Sequence, residues 1–223
     1  MTEPHHHDHD HDHPHPHRHP PQPDSDANPP SYHERLEIAV RELLTEKGII
    51  SADELRRTLE RFDTQTPALG GKVVARAWLD PEYKKRLLAD GTRAVQELGI
   101  DMERTKLVVV ENTPQVHNLV VCTLCSCYPR PLLGFPPDWY KSKAYRSRAV
   151  RDPRAVLREF GTTLPDGVTV RVHDSTADMR YLVLPLRPDG TEGWEEAVLA
   201  ALVTRDSMIG VTQVKLGAAT VPA

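Results

Sequence analysis

Apolar residues recur at helical spacing from residue 31 to residue 99 and then switch to strand-like runs. Ser31 to Glu34 has the spacing of a capping box and precedes an amphipathic run through Leu36, Ile38, Ala39, Leu43 and Leu44, which Gly48 closes. Ser51 to Glu54 repeats the signal ahead of Leu55, Leu59 and Phe62, and Pro67 precedes a third helical stretch, GGKVVARAWL. Asp80 and Pro81 supply an N-cap and a first-turn proline for a helix expected to run to Gly99. LVVVE (107–111) and VHNLVV (116–121) are β-branched and flank a turn at Asn112, Thr113 and Pro114. Asp152-Pro153 opens a further helix closed by Gly161. Strands are expected at 168–174 and 181–186, a helix over 193–204 and a final strand over MIGVTQV (208–214). The fold class is α+β: a helical N-terminal arm followed by a layered α-β-β-α domain. No period of 20 to 50 residues repeats.

The first thirty residues do not share this pattern. They hold nine histidines, many prolines and almost no apolar side chains, so they cannot bury enough surface to offset their ordering entropy. The expected organisation is a disordered His/Asp/Pro-rich tail over 1–30, a helical arm over 31–100 and an α/β metal-binding catalytic domain over 101–223. Six acids against one Arg give the tail a charge of −5, so a chain total of −4 leaves +1 for the rest. Alternating His and Asp offers weak ligands to divalent metals; a solubilising tail with no specific role is the plainer reading.

The charge balance argues against nucleic acid as the main partner. The longest apolar runs are a few residues, far short of the ~20 that span a membrane, and no secretory signal is legible. A cytoplasmic protein with reduced thiols is expected.

The candidate chemistry lies in VVCTLCSCYPR (120–130), which holds all three cysteines, Cys122, Cys125 and Cys127. An odd count and tight spacing disfavour a disulfide. A CxxC redox pair leaves the third thiol unexplained. Tetrahedral zinc needs a fourth ligand, and no second CxxC or HxxxH follows in the ordered part; His117 and His173 are single residues on expected strands. Three cysteines at this spacing can instead fold into a claw around one ion, with the backbone nitrogens of Ser126 and Cys127 beside it. Deprotonated amides are strong donors. They suit a low-spin trivalent transition metal, with five positions filled and one open for a Lewis-acid role.

VCTLCSCYPR, with VVVENTPQVHN before it and LLGFPPDWYKSKAYRSRAV after it, closely resembles the α subunit of nitrile hydratase, in its cobalt-type branch by Thr123 and Tyr128. The resemblance runs from about residue 31 to about residue 214 and includes RDPRAVLREFGTTLP, VHDSTADMRYLVLPLRP and LVTRDSMIGV. It implies a lyase that hydrates small nitriles to amides at a non-corrin low-spin Co(III) centre, with Fe(III) as the second choice. Cys122, Cys125, Ser126 and Cys127 would be the metal ligands: Cys122 an axial thiolate, Cys125 oxidised to sulfinate, Cys127 to sulfenate, and Ser126 and Cys127 giving amide nitrogens. Cys125 and Cys127 would be the catalytic residues, the nucleophile being water or the Cys127 sulfenate oxygen. The implied partner is a β subunit, in an αβ or α2β2 assembly whose arginines bond the oxidised sulfurs, with a metallochaperone or activator for loading.

Two alternatives stand beside this. The γ subunit of thiocyanate hydrolase shares the motif, and Arg130, where this family often has Trp, would suit an anion such as thiocyanate; an exposed rim arginine is the plainer reading. The other is a non-catalytic nitrile-hydratase-like leader or binding domain, which the full claw and the ending GAATVPA argue against. Trp139, Tyr140 and Tyr145 are expected to pack under the metal loop, and Arg146, Arg148 and Arg151 to form a solvated or interface face.

Overall fold

The structure is a computed structural model that describes residues 31–216. The readings of the tail (1–30) and of the ending GAATVPA (217–223) lie outside these residues. Among the described residues, 31–52 belong to one compact unit and 53–216 to a second. In the first, α1 (Tyr32–Glu46) opens on the expected capping box. The Ser31 hydroxyl accepts from the Glu34 amide, and the Glu34 carboxylate accepts from the Ser31 amide at 2.6 Å.

The next helices, α2 (Ala52–Thr64), α3 (Pro67–Leu79), α4 (Pro81–Ala89) and α5 (Gly91–Gln96), precede the strands. The single helix expected from Pro81 to Gly99 is broken in two. The Asp90 side chain accepts from the Arg93 amide at 3.1 Å and so caps a new helix. Gly91 lies so close to β1 that a Cβ there would come within 2.8 Å of the Leu107 carbonyl. The apolar side of α3 carries Val73, Val74 and Ala77 into the core.

Strands β1 (Lys106–Glu111) and β2 (Val116–Val121) flank the expected turn, but each takes a distant parallel partner. Helices α6 (Arg130–Leu133), α7 (Asp138–Lys141), α8 (Lys143–Arg151) and α9 (Pro153–Glu159) separate them from β3 (Thr169–Asp174) and β4 (Met179–Leu184). β1 pairs with β4, Lys106 opposite Met179; β2 pairs with β3, Val116 opposite Thr169 and Val121 opposite Asp174. Helices α4 and α5 lie on β1, the sheets meet where β2 touches β4, and α8 and α9 lie on β2 and β3. This is the expected α-β-β-α order. Because β2 is covered on both faces, Leu119, Val120 and Val121 are all buried, giving a continuous apolar run rather than an alternating one.

The chain then forms α10 (Glu196–Leu202) and α11 (Arg205–Ile209). The strand expected over 208–214 is therefore absent. Thr204 and Ser207 form a capping box that starts α11, and Gly210 ends it in the left-handed region at φ 86°. A Cβ on Gly210 would sit 2.0 Å from the Asn118 carbonyl, so the end of α11 rests directly on β2.

Candidate metal centre

β2 ends at Val121, and the chain turns into the cysteine loop at the edge of the β2–β3 pair. The Ser175 amide donates to the Val121 carbonyl at 2.7 Å, extending the pairing one step past the strand. Cys122 is buried, Cys125 exposed and Cys127 between these extremes. The three sulfurs converge within 4.8 Å of one another, Cys122 and Cys125 at 3.5 Å, Cys125 and Cys127 at 3.3 Å. The Cys125 amide donates to the Cys122 sulfur at 3.3 Å, the local bond that folds the loop back on itself.

Hydrogen bonds from Cys127 and Cys122, then from the Ser126 amide, hold the Cys125 thiol below its ordinary pKa. Burial, and then the bond to Cys125, push Cys127 up to about 12. Three convergent thiols with the Ser126 and Cys127 amides against the Cys125 sulfur make a donor set that fits a thiophilic ion in a strong field.

Supporting residues come from elsewhere in the chain. Asp174, at the end of β3, accepts from the Thr123 amide at 2.9 Å and from the Thr123 hydroxyl at 2.6 Å. Arg146 on α8 donates to the Thr123 carbonyl at 3.4 Å. The Tyr140 hydroxyl donates to the Cys127 carbonyl at 2.9 Å, and the Tyr145 hydroxyl to the Val120 carbonyl at 2.6 Å. Tyr140 also stacks edge-on with Tyr128 at 5.1 Å, and Trp139 with Tyr145 at 4.9 Å. These aromatics lie under the loop as expected. Asp174 and the loop contact of Arg146 had no signal in the sequence, since neither residue belongs to a local motif.

A cavity of about 300 Å³ opens on the claw, bordered by Cys125, Ser126, Cys127, Tyr128, Arg130 and Arg180. The Tyr128 hydroxyl is buried and has no hydrogen-bond partner among the described residues. Arg130 is exposed, as expected, and its guanidinium lies 5.1 Å from the centre of the Phe135 ring. Neither single histidine joins the claw. His117 Nε2 donates to the Gly210 carbonyl at 2.7 Å, and His173 Nε2 donates to Asn118 Oδ1 at 2.8 Å. Burial lowers the pKa of both rings.

The fold and the sulfur cluster define an α+β protein that presents three convergent thiols, a set able to hold a metal ion, on the loop that follows β2. The family described as nitrile hydratase, alpha chain, matches residues 31–212, and the chain belongs to it. It is 56% identical over 176 residues to a low-molecular-weight cobalt-containing nitrile hydratase subunit alpha of Rhodococcus rhodochrous, covering 78% of this chain and 85% of that one. It is 47% identical over 196 residues to the thiocyanate hydrolase subunit gamma of Thiobacillus thioparus, covering 82% and 81%. Among solved structures, an Fe-type nitrile hydratase of Comamonas testosteroni Ni1, a double mutant, superimposes with a TM-score of 0.80 at 42% identity, covering 88% and 97%. Among the described residues no helix is long and apolar enough to cross a membrane.

Proposed function

We propose that this chain is the α subunit of a cobalt nitrile hydratase, adding water across the carbon–nitrogen triple bond of a small nitrile to give the amide. The observation that carries this is the convergence of three sulfurs within 4.8 Å in a chain of this family. Cys122, Cys125 and Cys127 would hold the ion with the amide nitrogens of Ser126 and Cys127. Cobalt is preferred over iron because relatives at 56% and 53% identity are named cobalt-containing. Bound there, the trivalent ion supplies a Lewis acid for nitrile activation.

The chain's own residues divide the remaining work. Cys122 faces the core, whereas Cys125, Ser126 and Cys127 border the cavity; this supports Cys125 and Cys127 as the catalytic pair, oxidised to sulfinate and sulfenate. Asp174 and Tyr140 fix the loop at its two ends, one through Thr123 and one through the Cys127 carbonyl. Tyr128 brings a buried hydroxyl to the cavity wall. Residues 101–223 form the catalytic part in this reading, with 31–100 as a helical arm and 1–30 as an accessory tail. The enzyme is a cytoplasmic αβ or α2β2 hetero-oligomer, loaded by a metallochaperone.

A second reading, the γ-type subunit of a thiocyanate hydrolase, is favoured by one observation: Arg130 and Arg180 both border the cavity with the claw, a cationic mouth for an anion. The experiment is direct. The chain, produced with its partner subunit and cobalt, is assayed on nitriles for amide and on thiocyanate for carbonyl sulfide and ammonia, and its metal is counted. Amide formation with about one cobalt per α chain supports the first reading and carbonyl sulfide the second. Zinc at that stoichiometry with no cobalt defeats both.

A further inference from the structure

Nine of the chain's twelve histidines fall within residues 5–19, and they follow a strict alternation: every odd position from His5 to His19 is histidine. Asp8, Asp10, Asp12, Pro14 and Pro16 stand between them, with His6 and Arg18 completing the run. The stretch lies outside the described residues and outside the family match at 31–212, so neither the fold nor the family's own site accounts for it. The other histidines are engaged elsewhere. His117 and His173 are committed to the Gly210 carbonyl and to Asn118, and His33 packs edge-on against Tyr32 at 5.4 Å.

The donor chemistry of the stretch is that of a divalent metal site. Neutral imidazole is a nitrogen donor suited to first-row transition metals, and the alternating carboxylates add oxygen donors. Residues 1–30 carry −5 in all, which attracts a cation before any ligand bond forms. Ligands drawn from neighbouring residues close only short loops, so little chain entropy is lost on binding. Nine imidazoles, at three or four to an ion, provide for about two or three ions. The claw is a different kind of site. It is the one group of convergent metal-ligating side chains among the described residues, and all three of its ligands are sulfur.

We propose that residues 5–19 form a second metal site on this chain, which binds divalent cobalt or nickel through imidazole and holds cobalt for the claw when the metal is scarce. The supply role rests on the reading of the claw as a cobalt centre. Thiolates with deprotonated amides are the stronger donors, so cobalt passes downhill from the histidines to the claw. An ion captured at residues 5–19 also stays with the chain that needs it.

The test separates the two sites by filling one. The assembled complex, its claw loaded with cobalt and excess metal stripped with EDTA, is dialysed against CoCl2, NiCl2 or MgCl2. The full chain should take up about two or three further Co2+ or Ni2+ per α chain, nickel more tightly than cobalt, and no Mg2+. A chain without residues 1–30, and a full chain with all nine of these histidines replaced by asparagine, should take up none. Both should keep the cobalt of the claw and unfold at wild-type midpoints. Grown on limiting cobalt, the asparagine variant should hold several-fold less EDTA-resistant cobalt than wild type; grown on ample cobalt, the two should match. The metal site is overturned if the asparagine variant takes up the wild-type number of ions, or if Mg2+ binds as well as Ni2+. Equal EDTA-resistant cobalt in the two chains at limiting supply overturns the supply role. If the extra ions bind as described but the complex hydrates no nitrile, the metal site stands and the hydratase reading falls.

Discussion

One carboxylate, that of Asp174, holds Thr123 twice: the backbone amide donates to one oxygen at 2.9 Å and the side-chain hydroxyl to the other at 2.6 Å. The pairing of β2 with β3 sets this up, because it puts Asp174 opposite Val121, the last strand residue before the loop. Asp174 thus fixes where the loop leaves the sheet, and with it the direction in which Cys122 and Cys125 face.

Thr123→Val removes the hydroxyl bond and leaves the amide bond; Asp174→Ala removes both. Hydrogen bonds to a charged group are worth about 1.5–3 kcal/mol each, and less at an exposed site such as this one. The valine variant should retain cobalt with modestly lower occupancy, Asp174→Ala should lose more, and Thr123→Ser should match wild type. Metal content and the sulfur-to-metal charge-transfer absorption read these differences. Equal cobalt occupancy and equal spectra in Asp174→Ala would show that the loop holds its form without this anchor.

The contact between Gly210 and β2 leads to a stability prediction. At φ 86° an alanine is strained, and its Cβ would meet the Asn118 carbonyl, which belongs to backbone and cannot swing away. Gly210→Ala should cost about 3 kcal/mol or more, a fall in Tm of roughly 6–12 °C for a chain of this size. Gly161 also has positive φ, at 74°, but nothing lies within 4 Å of its would-be Cβ. Gly161→Ala should therefore cost only about 1 kcal/mol, the strain alone. Comparable losses in the two variants would contradict the packing account.

His117 makes that same region sensitive to acid. Its Nε2 is committed to the Gly210 carbonyl and its Nδ1 lies 3.5 Å from the Asn112 side-chain amide, so the buried ring is neutral. Burial holds its folded-state pKa below the ordinary 6.5. The unfolded chain therefore binds the proton more readily. The stability His117 contributes is fully present above about pH 6.5 and is lost as pH falls from there toward the depressed folded value. Urea midpoints should decline across this window, and His117→Gln should lessen the decline at some cost in stability at neutral pH. His173 shifts in the same direction by burial and by Arg171, so part of the slope should remain.

The features legible in the sequence were local ones. Helix starts were marked by Ser31, Asp80 and Asp152, whose side chains do cap their helices, and the claw was legible because its sulfurs lie within one loop. What escaped depended on distance along the chain. Asp174 is 51 residues from Thr123, Arg146 is 23 from it, and Tyr140 is 13 from Cys127, so no local pattern links them. The misread strand at 208–214 has β-branched and apolar residues, but the Thr204–Ser207 cap and the stop at Gly210 outweigh that preference. Similarly, Asp90 and Gly91 divide a run whose apolar periodicity reads as continuous.

The His/Asp-rich segment, outside the described residues and outside the family match at 31–212, should be dispensable for turnover. Because the family match begins at residue 31, deleting residues 1–30 should leave kcat unchanged once cobalt is fully loaded. If it gathers metal, the deletion should lower occupancy only in cobalt-poor medium. A large fall in kcat at full occupancy would assign the tail to the enzyme's working parts.

The three sulfurs should also differ chemically once the enzyme is mature. Cys122 is 1% exposed and accepts the Cys125 amide, so it is both shielded and engaged; it should remain a thiolate. Cys125 is the exposed sulfur whose thiolate is most favoured, and Cys127 borders the same cavity. The family resemblance implies sulfinate at Cys125 and sulfenate at Cys127, and both sulfurs have access to the cavity that oxidation requires. Cys127→Ser removes a ligand and the oxygen-bearing sulfur together and should abolish turnover. Ser126→Ala keeps the backbone nitrogen, so cobalt should still bind and activity should be reduced rather than lost. Peptide mass spectrometry of acid-quenched, unreduced enzyme reads the added oxygens directly. Three unmodified cysteines in a fully active complex would remove the sulfenate from the mechanism and leave water as the attacking group.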